Sequence, residues 1–216
     1  SAGWGDRVCG FFASEKGKHY VGIDPRKENH PIYKAQAEFY TKNNGFFEIE
    51  KHADFIESPA EDADLSMYNE HFDIVFSSPP YFNVERYSYD DTQSWVRYKN
   101  IDAWNKNFLH KTIANVWPTL KKGGYLAINI ADVYASSKGD GKGYQEITNP
   151  MNDFISTLGV EYEGCLGMEM AKRPGSAGAG AIIEGDEDRY TEEALLKAEE
   201  SKNKTFCEPV WIWKKL

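Results

Sequence analysis

The sequence predicts an α/β fold built on an open, mostly parallel sheet, and three observations predict it. Two short apolar runs, HYVGID at 19–24 and FDIVFS at 72–77, end in a polar residue, as suits buried parallel strands whose carboxyl ends face a ligand. Stretches with apolar residues at helical spacing lie between such runs, and the alternation continues to the end of the chain. Strands and helices alternating in this way give a sheet covered on both faces, with ligands bound beyond the strands' carboxyl ends. A chain of 216 residues, 41% of them hydrophobic, can bury one substantial core, so a single domain over 1–216 is expected.

Taken in order, a Gly-rich turn at 2–5 leads into a helix over about 6–14, with Val8, Phe11 and Phe12 on one face. The first apolar run follows as a strand. Pro31 suits a helix's first turn, and the residues after it place Ile32, Ala35 and Phe39 at helical spacing. A third strand is expected between 46 and 57, where two stretches, 46–50 and 53–57, have strand character. FDIVFS stops at Pro79 and Pro80, which have no N–H to offer a ladder. A long helix is predicted over 102–120, carried by Trp104, Phe108, Ile113, Val116, Trp117 and Leu120 and ended by Gly123 and Gly124. The remainder reads as a strand at 125–130, a helix at 145–158 and two closing strands at 160–170 and 207–213, the last antiparallel. Two insertions interrupt this rhythm. One, at about 82–100, is rich in Tyr, Arg and Asp and reads as a lid or substrate loop; the other, at 173–204, is Gly/Ala/Ser-rich, then acidic, with a short helix around 192–200.

Composition narrows the function. A formal charge of −9 weighs against a sequence-blind nucleic-acid coat, which draws its affinity from Lys and Arg on phosphates, but leaves room for a local basic groove. No apolar stretch is long enough to cross a bilayer, and the start of the chain is not signal-like, so no membrane role is expected. Cys9, Cys165 and Cys207 are far apart and odd in number, which points to a reducing, cytoplasmic setting. The five histidines show no ligand spacing, so no metal is expected.

Two features carry chemistry. The first is the turn Ala2-Gly3-Trp4-Gly5, followed by Asp24-Pro25 at the end of the next strand. Glycines let the backbone approach a cofactor, and a carboxylate about 20 residues on accepts hydrogen bonds from ribose hydroxyls. The full Gly-x-Gly-x-x-Gly pattern fails, because Val8 occupies the third glycine's place; an adenosine-containing cofactor other than a nicotinamide fits better. The second is Ser78-Pro79-Pro80-Tyr81, directly after FDIVFS.

FDIVFSSPPYF resembles the catalytic motif of the class I S-adenosylmethionine-dependent amino-methyltransferases that act on adenine N6 or cytosine N4: Asp, Asn or Ser, then Pro-Pro, then an aromatic residue. The resemblance implies a Rossmann-like methyltransferase fold, S-adenosyl-L-methionine as cofactor and a nucleic acid, DNA first, as partner. Carried over residue by residue, it implies that Ser78 and the Pro79 carbonyl accept hydrogen bonds from the target NH₂, that Pro80 stiffens the corner and that Tyr81 stacks on an extruded base. Ala2, Gly3, Trp4, Gly5, Asp24, Pro25 and Ser78 would hold the cofactor, and Ala60 and Glu61, in SPAED, its adenine edge. Tyr81, Phe82, Arg86, Tyr87 and Arg97 are the candidate substrate contacts. KKGGYLAINI resembles the family's fifth strand and EPVWIWKK its last. Members of the family also carry a strand before the glycine loop, and here Ser1 falls inside that motif, so the first strand is expected to be missing from the chain as given and supplied by an upstream segment or a partner subunit. Other readings are methylation of RNA or of a protein glutamine, whose relatives usually carry Asn before Pro-Pro, and a silent cofactor-binding subunit.

Overall fold

In the computed structural model, which describes residues 2–42, 50–135, 143–169 and 207–216, the strands form two main groups. β1 (His19–Asp24) pairs in parallel with β2 (His52–Glu57), with His19 opposite His52 and Asp24 opposite Glu57. β3 (Phe72–Ser77) pairs in parallel with β4 (Leu120–Asn129). A short antiparallel pair, β5 (Val133–Ala135) and β6 (Gly143–Gln145), follows β4. β7 (Val160–Glu169) and β8 (Cys207–Lys215) close the second group, β8 lying antiparallel between β4 and β7 in the order β3-β4-β8-β7. The expected α/β architecture, mostly parallel with an antiparallel last strand, is therefore present. Each parallel pair needs a crossover rather than a hairpin. Helix α2 (His30–Lys42) supplies one, and a run of short helices between 94 and 119, beginning with α3 (Ser94–Arg97), supplies the other.

Among the described residues, β1 has no ladder partner on the side away from β2, and β3 has none on the side away from β4. The backbone N–H of Ala2 donates to the Ile23 carbonyl at 2.9 Å, so the chain at Ala2 already meets one of these edges. On β3, Ile74 and Phe76 are 60% and 42% exposed. Apolar residues on an unpaired edge invite strand pairing between molecules. Ile74→Lys is therefore expected to reduce self-association of the 216-residue chain, seen by light scattering as a lower apparent mass at high concentration.

Helix α1 (Asp6–Ala13) begins after Gly5, whose φ of 106° lies in the left-handed region that glycine enters without a Cβ penalty. Its apolar face buries Val8 and Phe12 against Ala2 and Tyr33, as the spacing predicts. Helix α2 forms where Pro31 sets its first turn, but the stripe read from the sequence faces outward: Ile32 and Phe39 are 53% and 62% exposed, and Tyr33 is the buried apolar anchor. The strand expected between 46 and 57 begins at His52, as β2; residues 43–49 lie outside the described ones, as does the second insertion. The helix expected over 102–120 is broken into α4 (Ile101–Trp104), a π-helical segment (Asn105–His110), α5 (Lys111–Val116) and a 3₁₀ turn (Trp117–Thr119) with Pro118 in its first turn. That turn, and not the glycine pair, ends the helical run. Gly123, at φ 76°, instead sits inside β4 beside a shift in the β3–β4 register. The main core lies under β4 and β8, where Trp104, Leu109, Ile113, Leu126, Met151 and Trp213 are buried together.

Asp132, just after β4, holds the start of α6 (Thr148–Ser156), which begins three residues later than the sequence reading placed it. Its Oδ1 accepts hydrogen bonds from the backbone N–H groups of Ile147 (2.7 Å) and Thr148 (2.8 Å) and from Thr148 Oγ1 (3.0 Å). Burial alone would push this carboxyl up, but hydrogen bonds from Tyr144, Thr148 and Ile147 outweigh it and hold it below its ordinary value. Asp132→Ala is expected to cost about 1–2 kcal/mol, as loss of an N-terminal cap does. Because the folded-state value is depressed, this stabilisation is complete above the ordinary Asp range and is lost as pH falls through the lowered value. Urea denaturation of both proteins should show the gap at neutral pH and its narrowing below about pH 4.

Candidate active site

A cavity of about 470 Å³ opens at the carboxyl ends of β1, β3 and β4, lined there by Asp24, Ser77 and Asn129, where an open parallel sheet is expected to bind ligands. Each wall is set by a local feature of the sequence.

The glycine turn forms one wall. Gly3, at φ 69°, and Gly5 turn the backbone sharply into α1, and a Cβ on Gly3 would come within 2.5 Å of Arg7 Nη1. The turn is fixed from behind by Tyr33, whose hydroxyl donates to the Gly3 carbonyl and accepts from Asn29 Nδ2. Burial first, then the nearby Asp24 carboxylate, pushes the Tyr33 hydroxyl up to about 12, so it stays protonated and can donate. Asp24 is 7% exposed and ends β1. Its Oδ1 accepts from the Arg26 N–H at 3.0 Å, and its carbonyl is bonded by His30 Nε2 (2.9 Å) and Ser58 N–H (3.3 Å). The backbone is thus pinned while the carboxylate keeps acceptor capacity toward the cavity. Trp4, 62% exposed, stands at the mouth with the Arg26 guanidinium 5.2 Å from its ring and Tyr87 against it edge to face at 6.1 Å.

The opposite wall is the corner after β3. Ser78, Pro79 and Pro80 line the same cavity as Gly3 and Asp24. The corner is closed by a bond from the Phe82 N–H to the Pro80 carbonyl (2.9 Å) and by Glu85, which accepts from the Tyr81 N–H at 3.1 Å. Phe82 has φ 45°, a left-handed conformation that costs an aromatic residue about 1–3 kcal/mol. It is fully buried against Trp104, and that packing is what holds it there.

The predicted site residues divide accordingly. Ala2, Gly3, Trp4, Asp24, Pro25, Ala60, Glu61, Ser78, Pro79, Pro80 and Tyr87 border the cavity. Gly5 shapes the turn from outside the lining. Tyr81 does not line it: its ring packs on the main core and its hydroxyl is buried. Burial, then Glu208 and Glu85, pushes that hydroxyl well up from its ordinary value. Phe82 is fully buried in the main core and does not line the cavity. Arg86 donates from Nε to the Asn83 carbonyl (2.9 Å) and lies over the Trp95 ring, and Arg97 is bonded to Glu61. Residues that the sequence did not single out, among them Glu85, Asn129 and Glu208, also line the cavity. Asn129 could have been found, since it ends a strand as Asp24 does; Glu208 lies far along the chain and reaches the site only through the antiparallel pairing of β8.

No protein-family model matches the sequence, and no curated protein does. Solved structures do resemble the fold. One is a SAM-dependent methyltransferase from Methanosarcina mazei, at 13% identity, covering 100% of this chain and 90% of that one with a TM-score of 0.52. Another is the [4+2]-cyclase SpnF, at 14% identity over 100% of this chain and 73% of that one, with a TM-score of 0.50. A more distant likeness, with a TM-score of 0.43 and 18% identity over 73% of this chain and 50% of that one, is to a provisionally assigned DNA modification methylase from Thermus thermophilus. The chain therefore has the α/β fold of the methyltransferases. That fold also serves a cyclase, so function has to be argued from the site.

Proposed function

We propose that the chain is an S-adenosylmethionine-dependent methyltransferase that moves a methyl group directly onto an exocyclic amino group of a nucleic-acid base, with DNA the first candidate. The observation that carries this reading is that one cavity joins the glycine turn and Asp24 to the Ser78-Pro79-Pro80 corner. Its volume falls within the range of pockets for drug-sized ligands, about 300–1,000 Å³. Its lining includes Asp24, Glu85 and Glu208, an acidic set that suits a positively charged ligand.

S-Adenosylmethionine, when bound, supplies a methyl carbon made electrophilic by its sulfonium. What remains for the protein is placement. Asp24 accepts from the ribose hydroxyls, and the open backbone at Gly3 lets the chain approach the ligand. Ser78 and the Pro79 carbonyl accept from the target NH₂ and aim its lone pair along the line of transfer. A base reaching this corner has to be single-stranded or turned out of its stack. Tyr87, at the cavity, is better placed than Tyr81 to stack on it. No covalent intermediate on the protein is needed.

A second reading, methylation of a protein amide, is favoured by the same acidic set and by the engagement of Arg86 and Arg97 with other protein groups. Incubating the chain with methyl-labelled cofactor and separate DNA, RNA and protein pools tests both. Label in DNA is expected; label confined to protein would replace the first reading with the second.

A further inference from the structure

Two segments of the cavity wall that are distant in sequence meet in one ion-pair cluster. Arg97, at the end of α3, donates from Nη1 to Glu61 Oε1 at 2.6 Å, and its Nη2 lies 2.7 Å from Asp62 Oδ2. Lys111 Nζ takes the other Asp62 oxygen at 2.6 Å, and the Tyr98 hydroxyl donates to Glu61 Oε1 at 3.2 Å. The Glu61 side chain is 1% exposed and that of Arg97 27%, so this is a partly buried guanidinium held between two carboxylates. On the cavity side of the same elements lie Ala60, Gln93 and Ser94. Ser94 is fixed from behind by Trp104, whose Nε1 donates to Ser94 Oγ at 3.2 Å.

Arg97 and Tyr98 both bond Glu61 Oε1, so besides bordering the cavity Glu61 ties its own segment to the one that carries Arg97. Burial pushes the Glu61 carboxyl up against the pull of Arg97, while Lys111 and Arg97 hold the more open Asp62 down. Taking Arg97 away leaves a buried carboxylate without its guanidinium partner, a state relieved by protonation of the carboxyl or by movement of its segment.

We propose that Arg97 is a positioning residue that locks the 92–98 segment against the 60–62 segment, so that filling the cavity between them and holding that lock become one coupled event. This rests on the cofactor reading above. Any ligand that binds only when both walls are in place must favour the locked state by the same factor as the lock favours the ligand.

The test titrates S-adenosylhomocysteine into the full chain by calorimetry and follows backbone amide exchange over 92–98 with and without it. Wild type is expected to bind and to gain protection in that segment. Arg97→Ala should bind about tenfold or more weakly, within the usual range of coupling between sites, and should gain less protection even at saturation. Arg97→Lys, which keeps the charge but not the fork that spans two carboxylates, should fall between. Should Arg97→Ala fail to fold, Asp62→Asn removes one grip while Glu61 stays paired, and a smaller weakening, about threefold, is expected. Wild-type affinity in these variants, or binding that leaves exchange over 92–98 unchanged, overturns the proposal. A wild-type chain that does not bind at all overturns the cofactor reading itself, a result distinct from loss in the variants alone.

Discussion

Asp24→Ala is expected to weaken S-adenosylhomocysteine binding about 100-fold or more and to abolish methyl transfer at ordinary cofactor concentrations. Each hydrogen bond to a charged group contributes about 1.5–3 kcal/mol, so losing two from a ribose amounts to at least two tenfold steps at about 1.4 kcal/mol each. The substitution should leave the fold in place, because the bonds that His30 and Ser58 make here go to the Asp24 carbonyl, which alanine keeps. Asp24→Asn retains an acceptor for the Arg26 N–H and should lose less. Calorimetry gives the affinities, and thermal unfolding checks the fold. An unchanged affinity in Asp24→Ala would remove this wall from the cofactor site.

The largest stability effect is expected at Trp104. Its side chain is fully buried between Phe82 and Phe108, with ring centroids 6.1 and 5.0 Å away, and its Nε1 anchors Ser94. Trp104→Ala removes that volume and the hydrogen bond together, at a cost of about 3–5 kcal/mol, a large share of the roughly 5–15 kcal/mol that holds a domain folded. It also uncovers Phe82, whose left-handed backbone is held by this packing, so the corner after β3 should loosen with the core. Trp104→Phe keeps most of the volume and should cost much less. Urea denaturation separates the two, and equal midpoints for both variants would mean that the volume at this site matters little.

These effects could be anticipated in part because the strands and the two loops at their ends are local features. An apolar run stopped by a diproline needs no partner to be read, and a glycine turn before a helix implies a backbone that can approach a ligand. Ser78, Pro79, Pro80, Gly3 and Asp24 share a cavity for that reason. Orientation was harder to read. The Ile32–Phe39 stripe has helical spacing, yet which side of α2 meets the sheet depends on how Tyr33 seats under the glycine turn, a tertiary fact. Tyr81 follows the motif's spacing, but the turn closed by Phe82 and Pro80 swings its ring toward the core. Arg97 reads as a substrate contact by residue type; its partners, Glu61 and Asp62, lie 36 and 35 positions away, and no local pattern pairs them. The break in the helix at 105–110 leaves no signal in the sequence for a different reason, since π and α turns present similar apolar spacing over a short window.

One cavity has to serve both the cofactor and the methyl acceptor. A crystal structure of the chain with S-adenosylhomocysteine tests that most directly. The ligand's ribose is predicted at Asp24, its adenine between Ala60 and Ser94, and its sulfur facing the Ser78-Pro79-Pro80 corner. Density for the ligand elsewhere, or in this cavity with the sulfur turned away from Ser78, would contradict it.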